Sequence, residues 1–122
     1  MDEDKIQLAR RDSDEKATQE RAAILGIPYF DTRDIEQTLP LAREIISIDE
    51  MHKSRIVPLI AGTDSEVWRF GVTTQTPQSL IRDLTKQYND QGKNIQFFLI
   101  STSSYKTFMN RFDPPKQVIY DD

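Results

Sequence analysis

The sequence predicts an α+β domain: a small mixed sheet of three to four strands, with a β-hairpin and one βαβ unit, packed with helices and preceded by a short helical segment. Three observations lead there. Two strand-like runs, residues 55–61 and 66–73, flank Gly62-Thr63-Asp64-Ser65, which is turn chemistry and makes them a hairpin. A third apolar run, Ile95-Gln96-Phe97-Phe98-Leu99-Ile100, is separated from the second by residues recurring at helical spacing. Strand, helix and strand in that order place the two strands parallel, joined by a right-handed crossover.

The elements follow in chain order. Residues 1–16 are dense in charge of both signs, with Ile6 and Leu8 their sizeable apolar side chains beyond Met1. So little apolar surface does not offset ordering entropy, so this stretch reads as a flexible charged lead-in or frayed helix. From Ala17 to Leu25 good helix formers dominate, and Gly26 is suited to the position after the helix end. Pro28 biases Ile27 away from the α region, so Ile27-Pro28-Tyr29-Phe30 is extended, and Asp31-Thr32-Arg33-Asp34 is a turn. Pro40 suits the first turn of a short helix through Ile46. Residues 47–52 make another short helix, with Asp49 and Glu50 at the end where the dipole favours them. Pro58 lacks an N–H donor, which places the first hairpin strand at a sheet edge. Trp68, Phe70 and Val72 alternate onto one face.

Thr76-Pro77 reads as N-cap and first helical residue, and Leu80, Ile81, Leu84 and Tyr88 form the stripe that follows, up to Asn89-Asp90-Gln91-Gly92. The third strand is apolar at consecutive positions, so both its faces should be covered, one by the helix before it and the other by further helices. Residues 101–104 cap a last helix with the stripe Tyr105, Phe108, Met109 and Phe112, which Pro114-Pro115 terminates. The expected division is a lead-in at 1–16, one α/β domain at 17–113 and a linker at 114–122.

Composition narrows the chemistry. The chain has 122 residues, one domain's worth, with 30% charged residues and a formal net charge of −4. The acidic balance disfavours a general grip on nucleic-acid phosphate or on an anionic membrane. No apolar run reaches the ~18 residues of a membrane span. No apolar stretch follows the acidic start Met1-Asp2-Glu3-Asp4, so no secretory signal is expected. With no cysteine there is no disulfide, thiolate metal site or cysteine nucleophile. The single histidine, His52, lies in a polar helical stretch and reads as a surface residue. Asp2, Glu3, Asp4, Asp12, Asp14, Glu15, Asp121 and Asp122 fall where the chain looks least ordered, whereas acid–base pairs need fixed separations. Asp31 with Asp34, and Asp49 with Glu50, read as turn and helix-start residues. The four glycines are isolated, and neither G-x-x-x-x-G-K-[S/T] nor G-x-G-x-x-G occurs. Trp68-Arg69-Phe70 and Tyr105-Lys106 come nearest to a stacking platform, but the alternation assigns Trp68 to the core.

At Ala22-Ala23-Ile24-Leu25-Gly26-Ile27-Pro28-Tyr29-Phe30-Asp31 the chain resembles the opening of the N-terminal domain of the type II secretion and type IV pilus assembly ATPases, the GspE/PilB family. The resemblance continues through Leu39-Pro40-Leu41-Ala42-Arg43-Glu44-Ile45-Ile46 and through residues 47–59, which are similar to the family's Pro-Glu-x-x-Ala-Arg-x-x-x-Val-x-Pro-Leu. It covers residues 17–112. Ser47 stands where the family has Pro, and Thr73-Thr74-Gln75-Thr76-Pro77 where it has an acidic Asp-Pro step. The resemblance implies a non-catalytic docking domain, cytoplasmic and peripheral to the inner membrane, linking a motor to the cytoplasmic face of a pilus or secretion platform. Its implied partners are platform proteins and its own motor domain, with a monomeric fragment and a hexameric whole. ATP and Mg belong to the motor, and no cofactor to this part. One branch binds cyclic di-GMP through motifs with Arg-Leu-Gly; here Arg10-Arg11 is followed by Asp12. No residue is assigned a catalytic, cofactor-binding or metal-binding role, and no interface residues are assigned.

Overall fold

The computed structural model describes residues 2–40, 45–59 and 67–114. Its elements are α1 (Asp2–Leu25), α2 (Ile48–Ser54), β1 (Ile56–Leu59), β2 (Val67–Val72), α3 (Gln78–Asp90), β3 (Asn94–Leu99) and α4 (Thr102–Phe112). The strands form one mixed sheet in the order β1-β2-β3. β1 and β2 are antiparallel, with Pro58 opposite Phe70, and β2 and β3 are parallel, with Phe70 opposite Phe97. The fold is therefore α+β, and Pro58 lies in an edge strand as its missing donor requires.

The chain after α1 adds a fragment of a fourth strand. Gly26 takes φ +70° at the helix end, and Ile27 N–H donates to Ala22 O at 3.2 Å, closing a Schellman turn. Tyr29 then bridges Leu99 in parallel: Phe30 N–H donates to Leu99 O and Leu99 N–H to Pro28 O. The Leu25-Gly26-Ile27-Pro28-Tyr29 motif thus ends a helix and lays the chain along β3.

Two apolar clusters occupy the two faces of the sheet. On one, Val57, Leu59 and Ile100 pack with Met51 of α2 and with Tyr105, Phe108, Met109 and Phe112 of α4. On the other, Ile56, Phe70, Val72 and Leu99 meet Ile81, Leu84 and Tyr88 of α3, with Ala22 and Leu25 of α1. Phe70 stacks on Phe97 at 5.8 Å and on Tyr88 at 6.0 Å. Gly71 permits close packing: a Cβ there would sit 2.9 Å from Ile100 Cδ1 and 3.1 Å from Val57 Cγ2.

Several expectations change. Helix α1 begins at Asp2, well before Ala17, because its buried face is held by polar groups that an apolar-stripe argument does not count. Thr76 does not cap α3. Its hydroxyl donates to Arg55 O at 2.6 Å and accepts from Thr73 N–H, and Pro77 occupies the cap position without a side-chain bond. The first strand starts at Ile56, since Arg55 ends α2 with φ 56°. β3 is less covered than a consecutive apolar run implies: Leu99 is buried, but Phe97 and Phe98 are half-buried and Gln96 is exposed. Ser47 caps α2, accepting from Glu50 N–H, and Ser101 caps α4, accepting from Ser104 N–H. The expected turn at Gly62-Thr63-Asp64-Ser65, residues 41–44 of the expected short helix, and the segment from Pro115 onward lie outside the described residues.

Candidate functional site

The 3-4 spacing of Arg11, Glu15, Thr18, Ala22 and Leu25 gives α1 one face that meets the domain. Its N-terminal portion is charged. Arg11 donates to both carboxylate oxygens of Glu36 at 3.0 and 2.7 Å, to Glu15 Oε2 at 2.6 Å and to Ser104 Oγ at 3.0 Å. Glu15 also accepts from the Tyr29 hydroxyl at 2.6 Å and from Ser101 Oγ at 2.5 Å. Thr32 Oγ1 donates to Glu36 Oε2 at 2.8 Å and lies 2.7 Å from Ser104 Oγ. Asp14 accepts from Ser103 N–H and Oγ, so α1 grips the first turn of α4 at two successive acidic positions.

This junction joins three stretches distant in sequence: α1, the 29–36 segment and the α4 N-terminus. Glu15, Thr32, Glu36, Ser101 and Ser104 are all buried. No buried side-chain nitrogen or oxygen among the described residues lacks a partner. The hydrogen bond to Glu36 leads in holding the Arg11 guanidinium protonated above its ordinary range. Burial, then the bond to Glu15, pushes the Tyr29 phenol up. An acid–base pair needs an oxygen free toward a substrate. Here the carboxylates are engaged by Arg11, Tyr29, Thr32 and Ser101, and neither lines a cavity described below. The arrangement therefore orders α1 and the loop against α4.

The residues singled out in the sequence are dispersed. His52 is exposed on α2, with Nε2 3.0 Å from Asp113 Oδ2. Trp68 sits on the core side, 5.4 Å from the Tyr88 ring, with Lys93 Nζ 4.0 Å from its centroid, so it is no open platform. Tyr105 faces inward and donates to Met51 O at 2.8 Å. Arg33 bridges Asp31 and Asp12, and its bond holds the Asp31 carboxyl below the usual range. Glu15 and Asp14, assigned to an unordered stretch by their charge density, are central to the junction. The legible signal was the 3-4 spacing itself, masked because its members are polar.

Several clefts open at the surface of the described residues. A cleft of about 700 Å3 separates the first turns of α1 from α4. A second, about 310 Å3, lies among Ile46, Ser47, Ile56, Leu80 and Tyr88. A small apolar one, about 150 Å3, is lined by Phe30, Leu59, Arg69 and Phe98, where the Phe30 and Phe98 rings sit 5.7 Å apart. Among the described residues there is no group of three or more histidine or acidic side chains placed to hold a metal ion, and no helix is long and apolar enough to cross a membrane.

These features define a small α+β domain with helices on both sheet faces and a charged helix laid against one end. No protein-family model matches the chain, and no curated protein matches it in sequence. Among solved structures it is similar to the N-terminal domain of XpsE, with a TM-score of 0.57 and 19% identity over 80% of this chain. The chain spans 65% of the length of that solved chain. At this identity the likeness is one of fold.

Proposed function

We propose that this chain is a non-catalytic N-terminal docking domain of a type IV pilus or type II secretion assembly ATPase, linking its motor to the cytoplasmic face of an inner-membrane platform. The observation that carries the reading is the fold likeness to the N-terminal domain of XpsE, a type II secretion ATPase. The order of the Leu25-Gly26-Ile27-Pro28-Tyr29 and Val57-Pro58-Leu59 motifs supports it. Both motifs are architectural, one ending α1 and one forming the edge strand, so they report the shared fold and say nothing of catalysis. Without a phosphate-binding loop in this sequence, nucleotide hydrolysis falls to another part of the protein. ATP and Mg2+ belong to that motor, and the whole protein is a hexamer.

Membrane recruitment tests the reading. Expressed in cells that carry such a platform, the chain should sediment with the inner membrane, and should stay in the soluble fraction when the platform genes are deleted. Sedimentation independent of the platform removes the docking role. The alternative, a cyclic-dinucleotide-sensing domain of the same ATPase family, calls for calorimetry with cyclic di-GMP. Saturable heat there, with no platform-dependent recruitment, establishes the sensing reading in its place.

A further inference from the structure

The docking face of α1 does not stop where the domain does. Counting back from Arg11 at the same 3-4 spacing, the next members are Leu8 and Asp4. Leu8 is 66% exposed although it continues the stripe that is buried from Glu15 to Ala22. Beneath it lies the 700 Å3 cleft, closed on its far side by Ser103, Lys106 and Thr107 of α4. The cleft thus has one apolar contact on α1, a polar wall on α4 and a cation on each wall. Arg10 and Lys106 are exposed and form no ion pair among the described residues. Arg11, also at the cleft, is committed to Glu36 and Glu15.

In a chain of net charge −4, two cations facing one cleft without an ion partner among the described residues select their occupant by charge. We infer that the cleft between the first turns of α1 and α4 seats an acidic amphipathic helix of a partner protein. An apolar residue of that helix packs on Leu8, and carboxylates one turn away meet Arg10 and Lys106. Asp4 at the other end repels a carboxylate there and so fixes the direction in which the helix lies. The inference rests on the docking role and names the surface that serves it.

The test is an amide chemical-shift titration of the labelled chain with a synthetic amphipathic helix of about 20 residues, leucines on one face and glutamates beside them. The control peptide carries lysine in place of glutamate. The expected result is saturable shifts confined to residues 4–11 and 103–107, with affinity falling about tenfold or more for Arg10→Glu/Lys106→Glu and for Leu8→Asp. All three positions are exposed or line the open cleft, and unchanged melting of the variants confirms that they fold. Shifts elsewhere, no saturable shift, or equal binding of the lysine peptide overturns the proposal. Failure of the docking role reads out separately. Platform recruitment unaffected by Arg10→Glu/Lys106→Glu removes the cleft and keeps the role. Saturable peptide binding in a chain that no platform recruits supports the cleft and removes the role.

Discussion

Replacing Arg11 with methionine probes what holds the first half of α1. The guanidinium is 20% exposed on its side chain, while its partners Glu15 and Glu36 are 4% and 8% exposed. A charge pair at about 4 Å and an effective dielectric near 20 is worth about 4 kcal/mol. Arg11 faces two carboxylates, but desolvation of all three groups offsets much of that attraction. Deleting the cation leaves two buried carboxylates supported only by hydroxyls, a change that typically costs about 3–5 kcal/mol. Methionine keeps most of the volume, so packing is a small part of the loss. Denaturant melts read the total, and amide exchange in α1 reads where it falls. Adding Glu36→Gln removes one stranded charge, so the double variant should recover about 1–3 kcal/mol relative to the sum of the singles. An Arg11→Met cost below about 0.5 kcal/mol, the range of ordinary surface changes, would refute the reasoning, because the guanidinium would then add nothing to the hold that Asp14, Glu15 and the Ala22–Leu25 end have on the domain.

Other outcomes follow from the same geometry. Leu99→Ala, at a fully buried position, should cost about 2–5 kcal/mol, and Phe98→Ala less because Phe98 is half-buried. Gly71→Ala drives a methyl against Ile100 and Val57 and should cost about 1–3 kcal/mol in the same melts. The raised Tyr29 phenol stabilises the fold fully below about pH 10, where both states hold the proton, and that contribution is lost as pH rises through the folded-state value. Burial raises the Tyr105 phenol as well, so phenolate absorbance should show two late-titrating tyrosines, one of which Tyr29→Phe removes, and an unchanged late phase in Tyr29→Phe contradicts the part-buried Tyr29–Glu15 bond. The lowered Asp31 carboxyl works oppositely: its contribution is present above its unfolded value near pH 4 and fades as pH falls through the lower folded value, so Asp31→Asn should matter at neutral pH and not in acid. Purified to remove contaminating ATPases, the chain should turn over no ATP; persistent turnover contradicts the non-catalytic assignment.

Apolar patterning made the body of the fold legible. The 105-108-109-112 stripe, the Trp68-Phe70-Val72 alternation and the edge role of Pro58 all stand as the periodicities require. What escaped was α1 upstream of Ala17. Periodicity arguments weigh apolar side chains, and the face of this helix from Arg11 to Thr18 carries none. Its partners Glu36, Thr32 and Ser101 to Ser104 lie far away in sequence, so the bonds that fix it have no local signature. Thr76 was misplaced for a related reason. A threonine before Pro77 satisfies the capping rule, yet Arg55 O, brought near by the β1–β2 pairing, and Thr73 N–H in the same turn claim its hydroxyl. The third strand deceived through its composition: Phe97 and Phe98 are apolar, but the helices on each face reach only the Leu99 end well enough to bury it fully.

Calorimetry of the purified chain against purified cytoplasmic fragments of pilus and secretion platform proteins tests most directly the proposed tethering of a motor to a membrane platform. Saturable one-to-one binding to one of these fragments is the predicted result, with affinity unchanged by ATP. An absence of heat with every fragment, from chains whose melts show them folded, would contradict the claim.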